Sequence, residues 1–340
     1  MHLYMYWSTI ASMLTSFSYQ PDSYQWMQFK HQIVRELAFC IASPPLMRAW
    51  PNKAALNRAI DLPSAEFWQT QFQHYLTRLK QLDQNPFELE QHLLSARSSR
   101  LGIRFEHLLT FWLLDDQYHC YTLIGQSIKR MDGTRTLGEL DFLLRNRTTG
   151  QIEHWEVAIK FYLGESEFFA EQWLGLNRRD SLGRKINHLQ QHQFNSDHIS
   201  GQTIETRRAI IKGRLFYPVD RLATSTNFDS THQDINLAAS WISHQHLKGA
   251  WGTVIPSTPP NYTWRRAQRL EWITPNDSAK PLTTAAYWNS GLYFLLDRQN
   301  SVVFHYVLRI VDKRYSPFKN NNILQPNTYA DDIFKRISIR

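Results

Sequence analysis

Three segments in the first third of the chain place apolar residues at intervals of three and four, which is the spacing of one helix face. They cover residues 24–42, 64–82 and 100–114. Pro44 and Pro45 end the first segment, because a residue that precedes proline disfavours the helical conformation, and Ser64 is a suitable N-cap for the second. The pattern predicts three amphipathic helices, the third of which carries the acid Glu106 among apolar neighbours.

Beyond the third helix the apolar residues alternate with polar ones, which predicts β-strands. We expect strands at residues 118–128, 137–145, 152–161 and 208–217, and a mostly helical stretch at 167–195. The resulting order of helix, three strands, helix and strand favours an α/β core with a mixed sheet.

The same patterns divide the chain into three regions. An N-terminal helical extension is expected at residues 1–95, the α/β core at 96–220, and an α+β region that packs on the core at 221–340. The last region is predicted to contain a helix at 236–246 and a hairpin at 291–312.

Two of the predicted strands carry charge where a core strand is usually apolar. Alternation places Glu139 and Asp141 on one face of the first strand, and Glu156 and Lys160 on one face of the second. Apolar residues of the second strand, Trp155 among them, occupy its opposite face. Because a half-buried acid is costly unless it is paired or bound to a cation, this arrangement predicts a divalent metal or a positively charged partner.

Composition narrows the class of protein. The chain has 340 residues, of which 42% are apolar and 14% aromatic, as in an ordered globular protein. Its two cysteines, Cys40 and Cys120, favour a reducing cytoplasm over a disulfide framework, and no apolar run is long enough to suggest a membrane span. The sequence contains neither a P-loop nor a Gly-x-Ser-x-Gly elbow, which argues against the commonest ATPases and α/β-hydrolases.

The net charge of +8 arises entirely beyond residue 200, since acids and bases balance before it. A surplus of bases apart from a central acidic cluster is typical of a protein that binds a polyanion, but it also describes an ordinary solvated surface. Three arginines that follow the acidic strands, Arg178, Arg179 and Arg184, leave the same two interpretations open: contacts to phosphates, or a solvated basic face.

The order of the charged residues resembles the PD-(D/E)XK nuclease superfamily, whose restriction-endonuclease-like core carries a helix with an acid and then strands with Asp and Glu. Glu106, Asp141, Glu156 and Lys160 follow that order, and a predicted helix with Lys185 and Gln190 comes next. The resemblance implies Mg²⁺- or Mn²⁺-dependent hydrolysis of phosphodiester bonds in nucleic acid, with DNA favoured over RNA.

Roles follow from the same resemblance. Asp141 and Glu156 would be the main metal ligands, Glu106 would hold or orient the metal through water, and Lys160 would position the attacking water. Glu139 would be an auxiliary acid, while Lys185 and Gln190 would assist with the phosphate.

One departure from the superfamily pattern concerns the lysine. Ala158 stands where the acid-x-lysine pattern has its base, and Lys160 follows two residues later, about 6.6 Å further along a strand. Either the lysine has migrated to Lys160, or Lys185 substitutes for it, or the site has lost cleavage and kept its shape.

A second resemblance covers nearly the whole chain. The motifs that carry it are Ser43-Pro44-Pro45-Leu46, Arg100-Leu101-Gly102 with Phe105-Glu106, Gly138-Glu139-Leu140-Asp141-Phe142-Leu143, His154-Trp155-Glu156 with Lys160-Phe161-Tyr162-Leu163, Asp180 with Lys185, and Lys212-Gly213 with Phe216-Tyr217-Pro218. With these motifs the chain resembles the bacterial family known as domain of unknown function 1853, whose name implies no activity.

Three functions therefore stay open at this point. The first is a metal-dependent nuclease, the second a nuclease-like protein that binds nucleic acid without cutting it, and the third an interaction protein whose acids form a structural ion-pair network.

Overall fold

The computed structural model of the protein describes residues 24–51, 58–96, 98, 100–132, 135–165, 167–220, 240–256, 258, 260–276 and 289–310; of residues 131, 132 and 135–137 it describes only the backbone. The α-helices in these ranges are α1 (Gln32–Ala42), α2 (Ala65–Gln84), α3 (Phe87–Leu94), α4 (Leu101–Leu114) and α5 (Leu182–Gln191). The strands are β1 (Tyr121–Asp132), β2 (Arg135–Asn146), β3 (Ile152–Gly164), β4 (Trp173–Leu174), β5 (His198–Ile199), β6 (Gln202–Thr203), β7 (Thr206–Pro218), β8 (Leu247–Gly252), β9 (Thr263–Arg266), β10 (Gly291–Leu296) and β11 (Val302–Leu308).

One large mixed sheet organises the described chain, in the order β1-β2-β3-β7-β8-β11-β10-β9, with β4 beside the end of β3. Strands β1, β2 and β3 form an antiparallel meander, and β7 lies parallel to β3. The predicted α/β class with a mixed sheet is thus confirmed.

Helices cover both faces of the sheet. The apolar face of β3, with Trp155 and Val157, packs against α1, α2 and α4 in a core that includes Trp68 and Trp112. On the other face, α5 places Leu182, Ile186 and Leu189 against Tyr162 and Ile211. These three α5 residues recur at the spacing of a helix stripe, which is why α5 lies flat on the sheet.

The predicted N-terminal helices are present, with one change at the first. Ser64 caps α2, where its hydroxyl accepts the Phe67 N–H at 3.2 Å. Residues 24–42 were expected to form one helix, but only a short 3₁₀ turn at Gln25–Gln28 precedes α1. The break occurs because the backbone N–H groups of Lys30 and His31 bond to the Asp83 carboxylate, at 3.0 and 2.9 Å.

The stretch 167–195 is less helical than predicted. Its α-helix is confined to α5, while Ala170–Gln172 and Gln193–Asn195 are 3₁₀ turns and Trp173–Leu174 is a strand. Ser181 begins the helix by accepting the Arg184 N–H at 3.2 Å, as an N-cap does.

The sheet continues across the boundary that the sequence placed near residue 220, because β8 pairs with β7 in parallel from Leu247 to Trp251. The predicted hairpin is present as β10 and β11, although residues 311 and 312 lie outside the described ranges.

The helix predicted at 236–246 is wrong for residues 240–246, and its first four residues lie outside the described ranges. Here Ile242 bridges to Met47, and the Ser243 N–H bonds to the Leu46 carbonyl at 3.0 Å, so the backbone is paired with a distant segment. Among the described residues no helix is both long and apolar enough to cross a membrane.

Candidate functional site

The site forms where β2 and β3 part. Their ladder runs from the Arg145–Ile152 pair to the Phe142–Trp155 pair and stops there, while β2 stays paired with β1 and β3 with β7. Just past the last pair, Asp141 accepts the backbone N–H of Val157 at 2.7 Å through Oδ2. The Asp141 side chain therefore replaces the next backbone hydrogen bond between the two strands. We call this opening between β2 and β3 the fork.

Glu156 lies on the β3 side of the fork and is 1% exposed. Its Oε1 is 2.8 Å from His154 Nε2, and its Oε2 accepts a hydrogen bond from Gln193 Nε2. Asp141 and Glu156 also lie close enough for each carboxyl group to influence the pKa of the other.

The remaining acids come from α4 and from β2. Burial raises the pKa of Glu106, on α4, to about 7, and the negative charges of Asp141 and then Glu139 add to the effect. Burial likewise raises the pKa of Asp141 to about 8, reinforced by Glu156. For Glu156 burial raises the pKa to about 7, while the nearby charge of Lys185 opposes the rise. Acids from three elements thus share one desolvated, negatively charged region.

Lys185 is the cation that faces these acids. It comes from α5, on the opposite side of the sheet from α4, and its Nζ donates to Gln193 Oε1 at 3.0 Å. Its charge lowers the pKa values of Glu106, Asp141 and Glu156, whereas burial lowers its own pKa. Gln190 lies half-buried further along the same helix.

Lys160 shares the strand face of Glu156 but is paired elsewhere. Its Nζ lies 2.8 Å from Asp180 Oδ2, and Asp180 also accepts a hydrogen bond from the Tyr162 hydroxyl at 3.2 Å. Gly213 of β7 lies beside Lys160 with a φ of +128°, and a Cβ there would come within 1.8 Å of the Lys160 carbonyl oxygen. This close approach requires glycine.

The three arginines that follow the acidic strands are exposed, close in sequence to Asp180 and the start of α5. Arg178 pairs with Glu165 at 3.1 Å, and Arg184 donates to the Arg179 carbonyl at 2.6 Å. Exposed guanidinium groups are suited to phosphate contacts, and such surface pairs are weak enough to exchange for them.

The donor set fits a hard divalent cation in one particular way. In the part of the chain that the structure describes, no three side chains of His, Cys, Asp or Glu converge closely enough to hold one ion. Asp141 nevertheless lies next to Glu156 across the fork, since it accepts the N–H of the following residue, Val157. Mg²⁺ is commonly bound by one or two carboxylates, with water and phosphate oxygens completing its shell. The two acids therefore fit a two-carboxylate site.

Sequence reasoning missed three contributors to this site: His154, Gln193 and Asp180. A signal for His154 existed, since it precedes Glu156 by two residues and so shares its strand face. Asp180 lies in irregular backbone before α5, and Gln193 begins the short 3₁₀ turn that follows it. No periodicity indicates which way either side chain points.

Comparison with known proteins gives the family. The family described as domain of unknown function DUF1853 matches residues 35–303, so the chain belongs to it. No curated protein matches the chain, and neither does any solved structure.

Proposed function

We propose that the protein is a metal-dependent nuclease of the PD-(D/E)XK type that hydrolyses phosphodiester bonds in DNA or RNA, DNA being the expected substrate. The observation that carries the proposal is the fork, where burial raises the pKa values of Asp141, Glu156 and Glu106 while the charge of Lys185 opposes the rise. Burying carboxyl groups in this way costs free energy unless a cation binds to them, and ionisable groups with shifted pKa values are typical of functional sites.

In this proposal Asp141 and Glu156 hold Mg²⁺ or Mn²⁺. The Val157 N–H fixes the Asp141 carboxylate, so that a bound cation would meet a preset ligand. Mg²⁺ supplies Lewis-acid stabilisation of the charge that develops on the phosphate.

The other groups act on water and phosphate. Glu106, whose pKa is about 7, gains and loses a proton near neutral pH and would orient the attacking water. Lys185 lies near the acids and would place its ammonium against the phosphate oxygens, with Gln190 assisting and Glu139 adding negative potential. Lys160, which is bonded to Asp180, would contact a neighbouring phosphate instead.

A second candidate is a protein that binds nucleic acid without cutting it. It is favoured by the exposed Arg178, Arg179 and Arg184. It is also favoured by the hydrogen bonds that Asp141 accepts from Val157 and Glu156 accepts from Gln193, which partly satisfy both acids without a cation. Binding would then be sensitive to salt and independent of Mg²⁺.

The test is cleavage of a panel of single- and double-stranded DNA and RNA, with Mg²⁺, Mn²⁺ or EDTA, by wild type and by Glu156→Gln. We expect metal-dependent cleavage of at least one substrate by wild type and none by the variant. Binding without cleavage would select the second candidate. A protein that neither binds nor cuts would leave the acids as a structural network.

A further inference from the structure

His154 is the group next to the fork that the proposed chemistry leaves unused. It lies on β3 two residues before Glu156, is 0% exposed, and packs its ring against Phe194. A proton on its buried Nδ1 would find no acceptor among the described residues. The imidazole therefore carries one N–H.

That single N–H has a defined position. His154 Nε2 is 2.8 Å from Glu156 Oε1, whereas Nδ1 is buried and has no hydrogen-bond partner among the described residues. A carboxylate oxygen needs a donor, so the proton resides on Nε2 and points at Glu156.

Gln193 approaches the same carboxylate from the other side, and its amide orientation is also determined. The Lys185 ammonium can only donate, so the Gln193 atom 3.0 Å from it must be the amide oxygen. The NH₂ group then faces Glu156 Oε2. Uncharged groups therefore donate hydrogen bonds to both oxygens of Glu156. Lys185 bonds to the Gln193 amide, which in turn bonds to Glu156.

Neutral donors suit a carboxylate that has to bind a cation. A lysine or arginine in their place would neutralise Glu156 and compete with the metal, whereas an imidazole or amide orients the oxygens and leaves the negative charge available. Groups that hold a metal-binding carboxylate in this way commonly contribute 10- to 100-fold to metal affinity.

We propose that His154 and Gln193 are positioning residues that clamp the Glu156 carboxylate from both sides and so preset it to bind a divalent cation. This inference rests on the proposed function. It adds two residues that act through Glu156 and do not themselves touch metal or substrate.

The experiment is titration of Mn²⁺ into the full-length protein, followed by calorimetry. The side-chain nitrogen of glutamine can occupy the position of imidazole Nε2, but that of asparagine is too short to reach it. We therefore expect His154→Asn to weaken Mn²⁺ binding about 10- to 100-fold, and His154→Gln to restore it. Gln193→Met, which keeps the length and removes the amide, should weaken binding as His154→Asn does.

Controls separate positioning from folding. Gln191→Met changes an exposed glutamine of α5 and should bind Mn²⁺ as wild type does, and thermal unfolding of every variant shows which ones remain folded. Should His154→Asn fail to fold, the comparison of Gln193→Met with Gln191→Met carries the test.

The outcomes distinguish this inference from the proposed function. If wild type binds no Mn²⁺, or Glu156→Gln binds as tightly as wild type, the metal site itself is wrong and the inference falls with it. If Glu156→Gln loses binding while folded His154→Asn and Gln193→Met keep wild-type affinity, only the positioning role is overturned.

Discussion

At the residue scale, the acids of the fork are unusual because burial raises their pKa values well above the ordinary range. Their places on the strands were predictable, because period-two alternation puts Asp141 and Glu156 on defined faces. That the strands separate at Phe142 and Trp155, so that Asp141 takes the Val157 N–H, was not predictable, since it depends on where β2 and β3 follow other partners.

Protonation of these acids makes stability depend on pH in a direction opposite to the usual one. The pKa of Asp141 is about 8 in the folded protein, above its ordinary value, so the folded state keeps a proton that the unfolded chain has already lost. The resulting stabilisation is complete below the unfolded pKa and disappears as the pH rises through about 8. Urea unfolding from about pH 5 to about pH 9 should show a smaller decline for Asp141→Asn than for wild type; equal declines would contradict the assigned protonation.

The two lysines give a second residue-scale prediction. Lys185 faces the acids and Lys160 is paired with Asp180, so Lys185→Met should reduce kcat by about 10²-fold or more. Lys160→Met, a matched substitution, should raise KM and leave most of kcat. Steady-state kinetics on the cleaved substrate measure kcat and KM for both variants. A larger loss of kcat for Lys160→Met than for Lys185→Met would show that Lys160 is the lysine that acts on the phosphate.

At the scale of elements, α5 and the turns that flank it supply Lys185, Asp180 and Gln193. The sequence predicted a helical stretch here and named Lys185, but neither turn that flanks α5 was predictable, and these turns supply Asp180 and Gln193. The helix predicted at 236–246 failed for a related reason: residues 241–243 pair with Leu46 and Arg48, and such a long-range contact leaves no local periodicity.

The basic residues close to the start of α5 make a prediction about salt. If Arg179 and Arg184 contact phosphates, replacing both by glutamine should weaken nucleic-acid binding and reduce the slope of log affinity against log salt by about one for each phosphate that is no longer neutralised. Fluorescence anisotropy at several salt concentrations measures the slope. Lys80→Gln, on α2 at the other face of the sheet, should leave it unchanged, and equal slopes for all proteins would show that the arginines are merely solvated.

At the scale of the whole molecule, one sheet extends from β1 to β9. Composition and periodicity indicated three regions. The predicted helix, three strands, helix and strand of the core are present, but the short β4 precedes α5 and the short β5 and β6 follow it. Sequence patterns did not show that the strands after residue 220 add to the same sheet, because parallel pairing between β7, β8 and β11 joins segments far apart in the chain.

The continuous sheet predicts that the fragment 1–220 is not an independent folding unit. It would expose the edge of β7 and uncover buried Phe216, which packs with Leu292 and Phe294. An exposed edge strand with apolar neighbours favours aggregation. We expect the fragment to lack the cooperative thermal unfolding of the full chain; a sharp transition in the fragment would place a domain boundary at residue 220 after all.

The most direct test of the proposed metal site is Mg²⁺-dependent cleavage measured side by side for wild type and Asp141→Asn, purified identically and shown to be equally folded. Asparagine is nearly the same size as aspartate, but it lacks the negative charge and one of the two oxygens that a cation could use. We predict cleavage by wild type that EDTA abolishes and Mg²⁺ restores, and none by the variant. Undiminished cleavage by Asp141→Asn, or no cleavage of any DNA or RNA substrate by wild type, would contradict the proposal.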